Sequence, residues 1–249
     1  MSPRHKNEWW HDFFVDFRPV FRGMPAKDTN ALVRYLISQL KLKRGSTFLD
    51  CPCGIGRVAI PLAAKGIKVT GVDIMPSYLE EMKLRAKRRG LPVKAVHSDM
   101  RRIDFHDQFD AAGNLRTSFG YFESESDNLR VLKKVVQALR SGGRFMMTVT
   151  NRDWIIANFQ KTDWCEFGDL KVLKERSLDY HRSVLTSHWH FIRSGQEKAH
   201  TVNLRLYSCH ELLGLFRLAG FVEVRGYGSL KNEEVSLGSR VLTIIGIKP

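Results

Sequence analysis

The sequence predicts an α/β domain: a mostly parallel sheet flanked by helices, with an antiparallel β insertion and an aromatic helical arm in front. Three observations carry this reading. A short apolar strand, a turn bearing Gly54 and Gly56, and a helix follow one another over residues 48–62. Three more apolar runs of strand length follow, at 68–73, 93–96 and 109–112, and each ends on polar or glycine residues. Between residues 172 and 207 apolar and polar side chains alternate with a period of two, the mark of half-buried antiparallel strands.

Taken in order, residues 1–30 form the arm, with Trp9, Trp10, Phe13, Phe14 and Phe17 at helical spacing. Such a helix either packs on the main domain or closes over a site as a lid, and the two roles are compatible. Asp28 and Thr29 offer an N-cap to the next helix, whose apolar face is Leu32, Val33, Leu36, Ile37 and Leu40. In the turn at 51–56, Gly54 and Gly56 permit backbone angles and close approaches that a side chain would block. Pro61 falls in the first turn of the helix that follows, where proline is tolerated. That helix start aims free N–H groups above the strand.

Gly54, Gly56 and Ala59 fit the pattern G-x-G-x-x-A, and Asp73 ends the second strand about 20 residues later, where ribose hydroxyls are expected. Met75-Pro76 opens a helix to about Arg89, with Gly90 as its cap. The third strand ends in His97-Ser98-Asp99-Met100 and the fourth in Gly113-Asn114-Leu115. Ligands of open α/β sheets bind at these carboxyl ends. The next helix ends at Ser141-Gly142-Gly143 and a fifth strand runs over 144–149.

The insertion spans 151–207: a helical piece through Trp154, then extended runs at 172–178, 183–193 and 198–207, with Ser194-Gly195 as a hairpin turn. Leu185, Ser187, Trp189 and Phe191 share one face of the middle run; His188 and His190 share the other. A helix over 208–219 leads to a closing pair of strands at 221–227 and 241–247.

With its four loop elements in this order, and with that closing hairpin, the chain resembles the class I S-adenosylmethionine-dependent methyltransferases, in particular a bacterial branch acting on small molecules. A nicotinamide-binding sheet would instead repeat strand–helix units to its end. The resemblance implies a Rossmann-like seven-stranded sheet over residues 31–150 and 208–249, with 151–207 as an antiparallel β cap that builds the substrate pocket over the sheet's carboxyl end. It places Asp50, Cys51, Pro52, Cys53, Gly54 and Gly56 beside the methionine part of S-adenosylmethionine. Asp73 and Ile74 would meet the ribose; Ser98, Asp99 and Met100 the adenine; Asn114 and Leu115 the methionine and the sulfonium side. Pro52 departs from the family's usual first glycine, and a Pro-Cys-Gly loop is a variant within the family. One of Arg18 and Arg22 would meet the cofactor carboxylate, or both lie at the surface. The stretch 114–122 resembles the small-molecule branch.

Methyl transfer requires alignment and exclusion of water, and a base only when the nucleophile arrives protonated. Tyr121, His188 and His190 are the catalytic candidates. Tyr121 would orient substrate; either histidine would serve as base, or pack within the cap. No metal is called for: Cys51-x-Cys53 reads as small side chains in a crowded loop, and two histidines do not make a zinc site. The expected acceptor is a nitrogen or oxygen of a small molecule.

The 249 residues carry 40 Lys plus Arg against 26 Asp plus Glu, a net charge of +14 that favours acidic partners. An RNA methyltransferase is therefore the alternative. Against it, Asn114-Leu115-Arg116-Thr117 has no proline where the amine-directed nucleic-acid enzymes of the family carry a proline-rich motif. A silent S-adenosylmethionine-binding module is the other alternative. Four cysteines are too few for a disulfide framework, no apolar run reaches membrane-spanning length, and the N-terminus lacks a leader's apolar core, so a cytoplasmic protein is expected.

Overall fold

The computed structural model describes residues 9–249. The first eight, where the lack of a leader core was read, lie outside the described residues. The chain divides into two compact units: residues 1–25 with 158–206, and residues 26–157 with 207–249. The arm and the insertion, expected as two separate parts, thus fall in one unit.

The larger unit is built on a seven-stranded sheet. Its strands in chain order are β1 (Thr47–Asp50), β2 (Lys68–Asp73), β3 (Val93–His97), β4 (Phe109–Asn114), β5 (Leu139–Thr150), β10 (Val222–Tyr227) and β11 (Val241–Ile247). They lie in the order β10-β11-β5-β4-β1-β2-β3, and β11 is antiparallel to both neighbours. The order reverses at β1, between β2 and β4, which is where a doubly wound sheet opens a crevice at its carboxyl ends.

Successive residues of the central strands feed opposite faces. Leu49, Ala112 and Phe145 join one core with α5 (Glu125–Ala138) and α7 (Cys209–Ala219). Phe48, Ala111 and Met146 join the other with α2 (Ala26–Gln39), α3 (Ala59–Ala64) and α4 (Pro76–Lys87). Burial on both faces is why these strands are continuous apolar runs. Ser208 caps α7 in a reciprocal box with Glu211, and Gly220, at φ +107°, ends it.

Three boundaries differ from the sequence reading. α2 starts at Ala26, so Asp28 lies in its first turn and Thr29 inside it rather than at its cap. β5 starts at Leu139, five residues early: its pairing with β4 shifts register between Phe109 and Ala111, and this irregularity absorbs Gly142 and Gly143. The insertion's sheet has four strands, not three: β6 (Thr162–Phe167), β7 (Leu170–Asp179), β8 (Val184–Arg193) and β9 (Gln196–Arg205), paired in that order. β6 was missed because its alternation runs between half-buried and exposed positions, with Trp164 64% exposed.

In the smaller unit α1 (Trp9–Gly23) packs on this meander. Phe13 meets Trp189, Phe191 and His200 edge-on at 5.5, 6.0 and 5.9 Å between ring centres, and Phe17 meets Trp189 at 5.5 Å. Asp16 receives Lys198 Nζ at 2.8 Å and pairs with His200 Nε2 at 2.9 Å.

Phe145, Phe216 and Phe221 lie with ring centres 5.2–5.4 Å apart in the core. Phe145→Ala should cost about 3–5 kcal/mol in denaturant unfolding, whereas Leu218→Ala, at a position 66% exposed on α7, should change stability by less than about 0.5 kcal/mol.

Candidate active site

The carboxyl ends of β1, β2, β3 and β4 lie side by side, and the acids and amides of the sequence reading stand there. Asp73 is the organising group. Its Oδ2 accepts from the Gly54 N–H at 2.7 Å and its Oδ1 from the Met75 N–H at 2.9 Å. One carboxylate thus joins the glycine turn after β1 to the start of α4. The turn is also tied to the sheet through Cys51 N–H to Gly113 O at 3.0 Å and Cys53 N–H to Val72 O at 2.8 Å. Gly56 sits at φ +77°, and a Cβ there would stand 2.5 Å from Met82 Cγ. Gly54, at φ +53°, has open space where its Cβ would be. Pro52 follows Cys51 through a cis peptide bond.

Asp50 is buried, accepts from the Ala59 N–H, and keeps Oδ2 without a partner. Burial, then the charge of Asp73, pushes its carboxyl up to about 8. Burial also raises Asp73, to about 6, against the pull of the Met75, Gly54 and Ile74 amides and of His97. The Cys51 and Cys53 thiols are pushed well up by burial, then by Asp73 and Asp50, so both stay protonated. Among the described residues no group of three or more His, Cys, Asp and Glu could hold a metal ion.

At the end of β4, Asn114 is fully buried; its Nδ2 faces Met100 Sδ at 3.8 Å and its Oδ1 has no partner. Asp50 and Gly113 are paired neighbours, so two unpartnered buried oxygens, Asp50 Oδ2 and Asn114 Oδ1, belong to adjoining strand ends. Leu115 is buried beside them. The next two residues, Arg116 and Thr117, both adopt left-handed backbone at φ +61° and +59°, a conformation costly for side chains other than glycine. β5 holds them there: Thr148 accepts from both backbone N–H groups at 2.8 Å, and the Thr117 and Thr150 hydroxyls meet at 3.0 Å.

Asp99 departs from the simplest picture of an open acceptor. Arg101 clasps it, with Nη2 on Oδ2 at 2.6 Å and Nε within 3.2 Å of both oxygens, and reaches on to Asp127 at 2.8 Å. Burial works to raise this carboxyl, and the Arg101 bonds hold it below the usual range. Arg101 also lies 4.2 Å from the Phe122 ring centre. The sequence reading missed Arg101; its only signal was an arginine two residues after the acid. Ser98 Oγ donates to Asp99 O at 3.1 Å, and the Ile74 carbonyl meets His97 Nε2 at 3.0 Å.

Arg57 donates to Thr29 Oγ1 at 2.7 Å, and Arg116 reaches the same oxygen at 3.3 Å. Burial, then the Arg116 and Arg85 charges, brings Arg57 down to about 10. Tyr121 is half-buried, and burial pushes its hydroxyl up to about 12. The histidine candidates lie in the other unit, on the β8 face opposite Trp189: His188 Nδ1 meets Thr201 Oγ1 at 3.0 Å and His190 Nδ1 meets Glu197 Oε1 at 2.6 Å. Arg18 and Arg22 also belong to that unit.

Residues 48–143 match the family described as a methyltransferase domain. Over that stretch the chain is similar to the methyltransferases. A solved S-adenosylmethionine-dependent methyltransferase from Clostridium acetobutylicum superposes on this chain with a TM-score of 0.79, at 16% identity over 95% of this chain and 98% of that one. An S-adenosylmethionine-bound amino pentose methyltransferase from Micromonospora echinaspora superposes with a TM-score of 0.68, at 18% identity over 99% of this chain and all of that one. In sequence, an S-adenosyl-L-methionine-dependent Diels-Alderase from Talaromyces variabilis is 29% identical over 51% of this chain and 44% of its own. The chain spans about half the length of the curated relatives it matches. S-adenosylmethionine is the cofactor that this match and these neighbours imply. The strand ends fit that group: two buried acceptors await donors, and an open glycine turn stands beside them. No described helix is long and apolar enough to cross a membrane.

The two raised carboxyls set a sign for pH. In the ligand-free fold both hold protons that the unfolded chain releases near pH 4. Their contribution to stability is therefore complete below about pH 4 and is lost as pH rises through about 6 and then about 8. Thermal melts of the ligand-free protein should show stability falling from pH 5 to pH 8.5, and Asp50→Asn should flatten the upper part of that slope.

Proposed function

We propose that this protein transfers the methyl group of S-adenosylmethionine to a nitrogen or oxygen of a small molecule. The observation that carries the reading is the cradle at the switch point: Asp73 fixing the glycine turn, with Asp50 Oδ2 and Asn114 Oδ1 buried and unpartnered on adjoining strand ends. Those acceptors suit the ammonium end of the methionine part, with residues 51–56 alongside. Asp73 with Ile74 would take the ribose hydroxyls. Because Arg101 occupies both Asp99 oxygens, Asp99 would set the shape of the adenine end, with Ser98 and Met100 against the ring. Leu115 would face the sulfonium side.

The bound cofactor supplies an electrophilic methyl group at a sulfonium. The protein's part is to hold the acceptor in line with it and keep water out. Tyr121, on the segment after β4, is the candidate for orienting the acceptor, and its raised hydroxyl stays a donor at neutral pH. His188 and His190 are engaged across strands, so a base role for either would require it to give up Thr201 or Glu197. Within the smaller unit the half-buried Phe17 and Trp189 form an aromatic surface suited to a partly apolar acceptor.

An aminosugar acceptor is consistent with the amino pentose methyltransferase among the fold neighbours. The relative named as a Diels-Alderase favours a second reading, in which the cofactor is held without transfer.

One measurement tests the cradle that both readings share, and a second separates them. By calorimetric titration Asp73→Ala should weaken S-adenosylmethionine binding by more than about 10-fold, the loss expected for a charged hydrogen-bond acceptor. Turnover against a panel of aminosugars and phenols should produce S-adenosylhomocysteine in step with methylated product, and Tyr121→Phe should lower kcat with cofactor affinity unchanged. Cofactor binding with no S-adenosylhomocysteine from any acceptor would favour the second reading.

A further inference from the structure

The excess positive charge is not spread evenly. At the amino ends of β1, β2 and β3, opposite the cofactor loops, the backbone draws three basic segments together. Gly45 N–H bonds Gly66 O at 2.8 Å and Lys68 N–H bonds Ser46 O at 2.8 Å, so the approaches to β1 and β2 run side by side. Arg44 lies across Gly66, where a Cβ would stand 2.8 Å from its Cγ. Val69, next to Lys68, is level with Val93, the first residue of β3, so the end of α4 that leads into β3 falls beside Lys68. That end carries Lys87, Arg88 and Arg89.

Arg44, Lys65, Lys68, Lys87, Arg88 and Arg89 are all exposed, and none makes an ion pair among the described residues. Residues 41–49, 65–72 and 82–98 contain no Asp or Glu. Elsewhere several cations do find acids. Beyond β1, at the start of β4, Asp110 takes Arg140 at 2.8 Å and Asp107 takes Lys248 at 2.6 Å. In the meander Lys174 and Arg176 share Asp163. Six like charges left together repel one another, a cost that an anionic partner removes.

We propose that this face binds a nucleic-acid duplex through its phosphates, independently of the methyl acceptor. Three strand ends and one helix end make a face roughly 20 Å across. A duplex of that length carries about a dozen phosphate charges. The same three segments contain no exposed aromatic residue, so they offer no platform for unstacked bases, which favours a duplex over a single strand. Leu84 is the one large apolar side chain exposed there, too little to enter a bilayer. β2 separates this face from Asp73 by six residues, about 20 Å of strand, so a duplex held here lies away from the cofactor loops. The charge that suggested an RNA substrate is thereby assigned to an anchoring surface.

The test is fluorescence anisotropy with a labelled 20-base-pair DNA duplex of mixed sequence, from 50 to 200 mM KCl. Affinity should fall about 10³-fold over that range for some six phosphate contacts. The quadruple variant Lys65→Glu, Lys68→Glu, Arg88→Glu, Arg89→Glu should lose at least about 30-fold at 50 mM salt and flatten the salt slope by about 3. A control with the same change in net charge, Lys133→Glu, Lys161→Glu, Arg182→Glu, Lys231→Glu, should lose less than about 5-fold. Both variants should keep wild-type S-adenosylmethionine affinity, which shows that they are folded and leaves the cofactor assignment untouched by the result. Equal losses in the two variants, no binding at 50 mM salt, or tighter binding to phosphatidylserine vesicles or polyglutamate than to the duplex would overturn the proposal.

Discussion

Much of the site depends on one buried carboxylate. Asp73 accepts from two backbone amides that belong to different loops, and in doing so it fixes the glycine turn after β1 against the start of α4. The bonds form because β1 and β2 are parallel neighbours in register, Asp50 beside Gly71, so both loops leave the sheet at one level. Keeping such a group in a dry site is costly unless its oxygens are satisfied, and here the backbone satisfies them. Burial raises both carboxyls above their ordinary range, and for Asp50 the charge of Asp73 adds to it. A ligand that brings a positive charge and hydroxyl donors to these strand ends would relieve that tension.

A second constraint lies after β4. Two consecutive side-chain-bearing residues are held in left-handed backbone by hydrogen bonds from β5. Strain of this kind persists where the surrounding structure over-determines it, and it gathers at working sites. It turns the chain sharply at the sheet's edge and carries Arg116 to Thr29 on α2, where it meets Arg57. The segment from Asn114 to Tyr121 is thus anchored at its start by the sheet and in its middle by β5.

The central sheet was legible in the sequence because its signals are local and strong. Doubly buried strands read as unbroken apolar runs, and Gly54, Gly56, Gly90 and Gly220 stand where positive φ is needed. Asp50, Asp73 and Asn114 were placed by their positions after strands, and the structure brings them to one end of the sheet. Less legible were features set by partners distant in sequence. Nothing local told that β5 begins at Leu139, since that start depends on a register shift against β4. The Arg101–Asp99–Asp127 cluster needs the third strand's loop to meet the first turn of α5. The hidden strand β6 has too little burial to show a pattern. Charge was visible only as a total; its concentration at one end of the sheet depends on topology.

The central claim is that the strand-end cradle organised by Asp73 holds S-adenosylmethionine. Its most direct test is a thermal melt of the wild-type protein with and without the cofactor and, separately, with S-adenosylhomocysteine. At about 100 times its dissociation constant each ligand should add roughly 2.7 kcal/mol, raising the midpoint by a few degrees in a protein of this size. An unchanged midpoint with both ligands, in protein shown to be folded and free of co-purified ligand, would contradict the account.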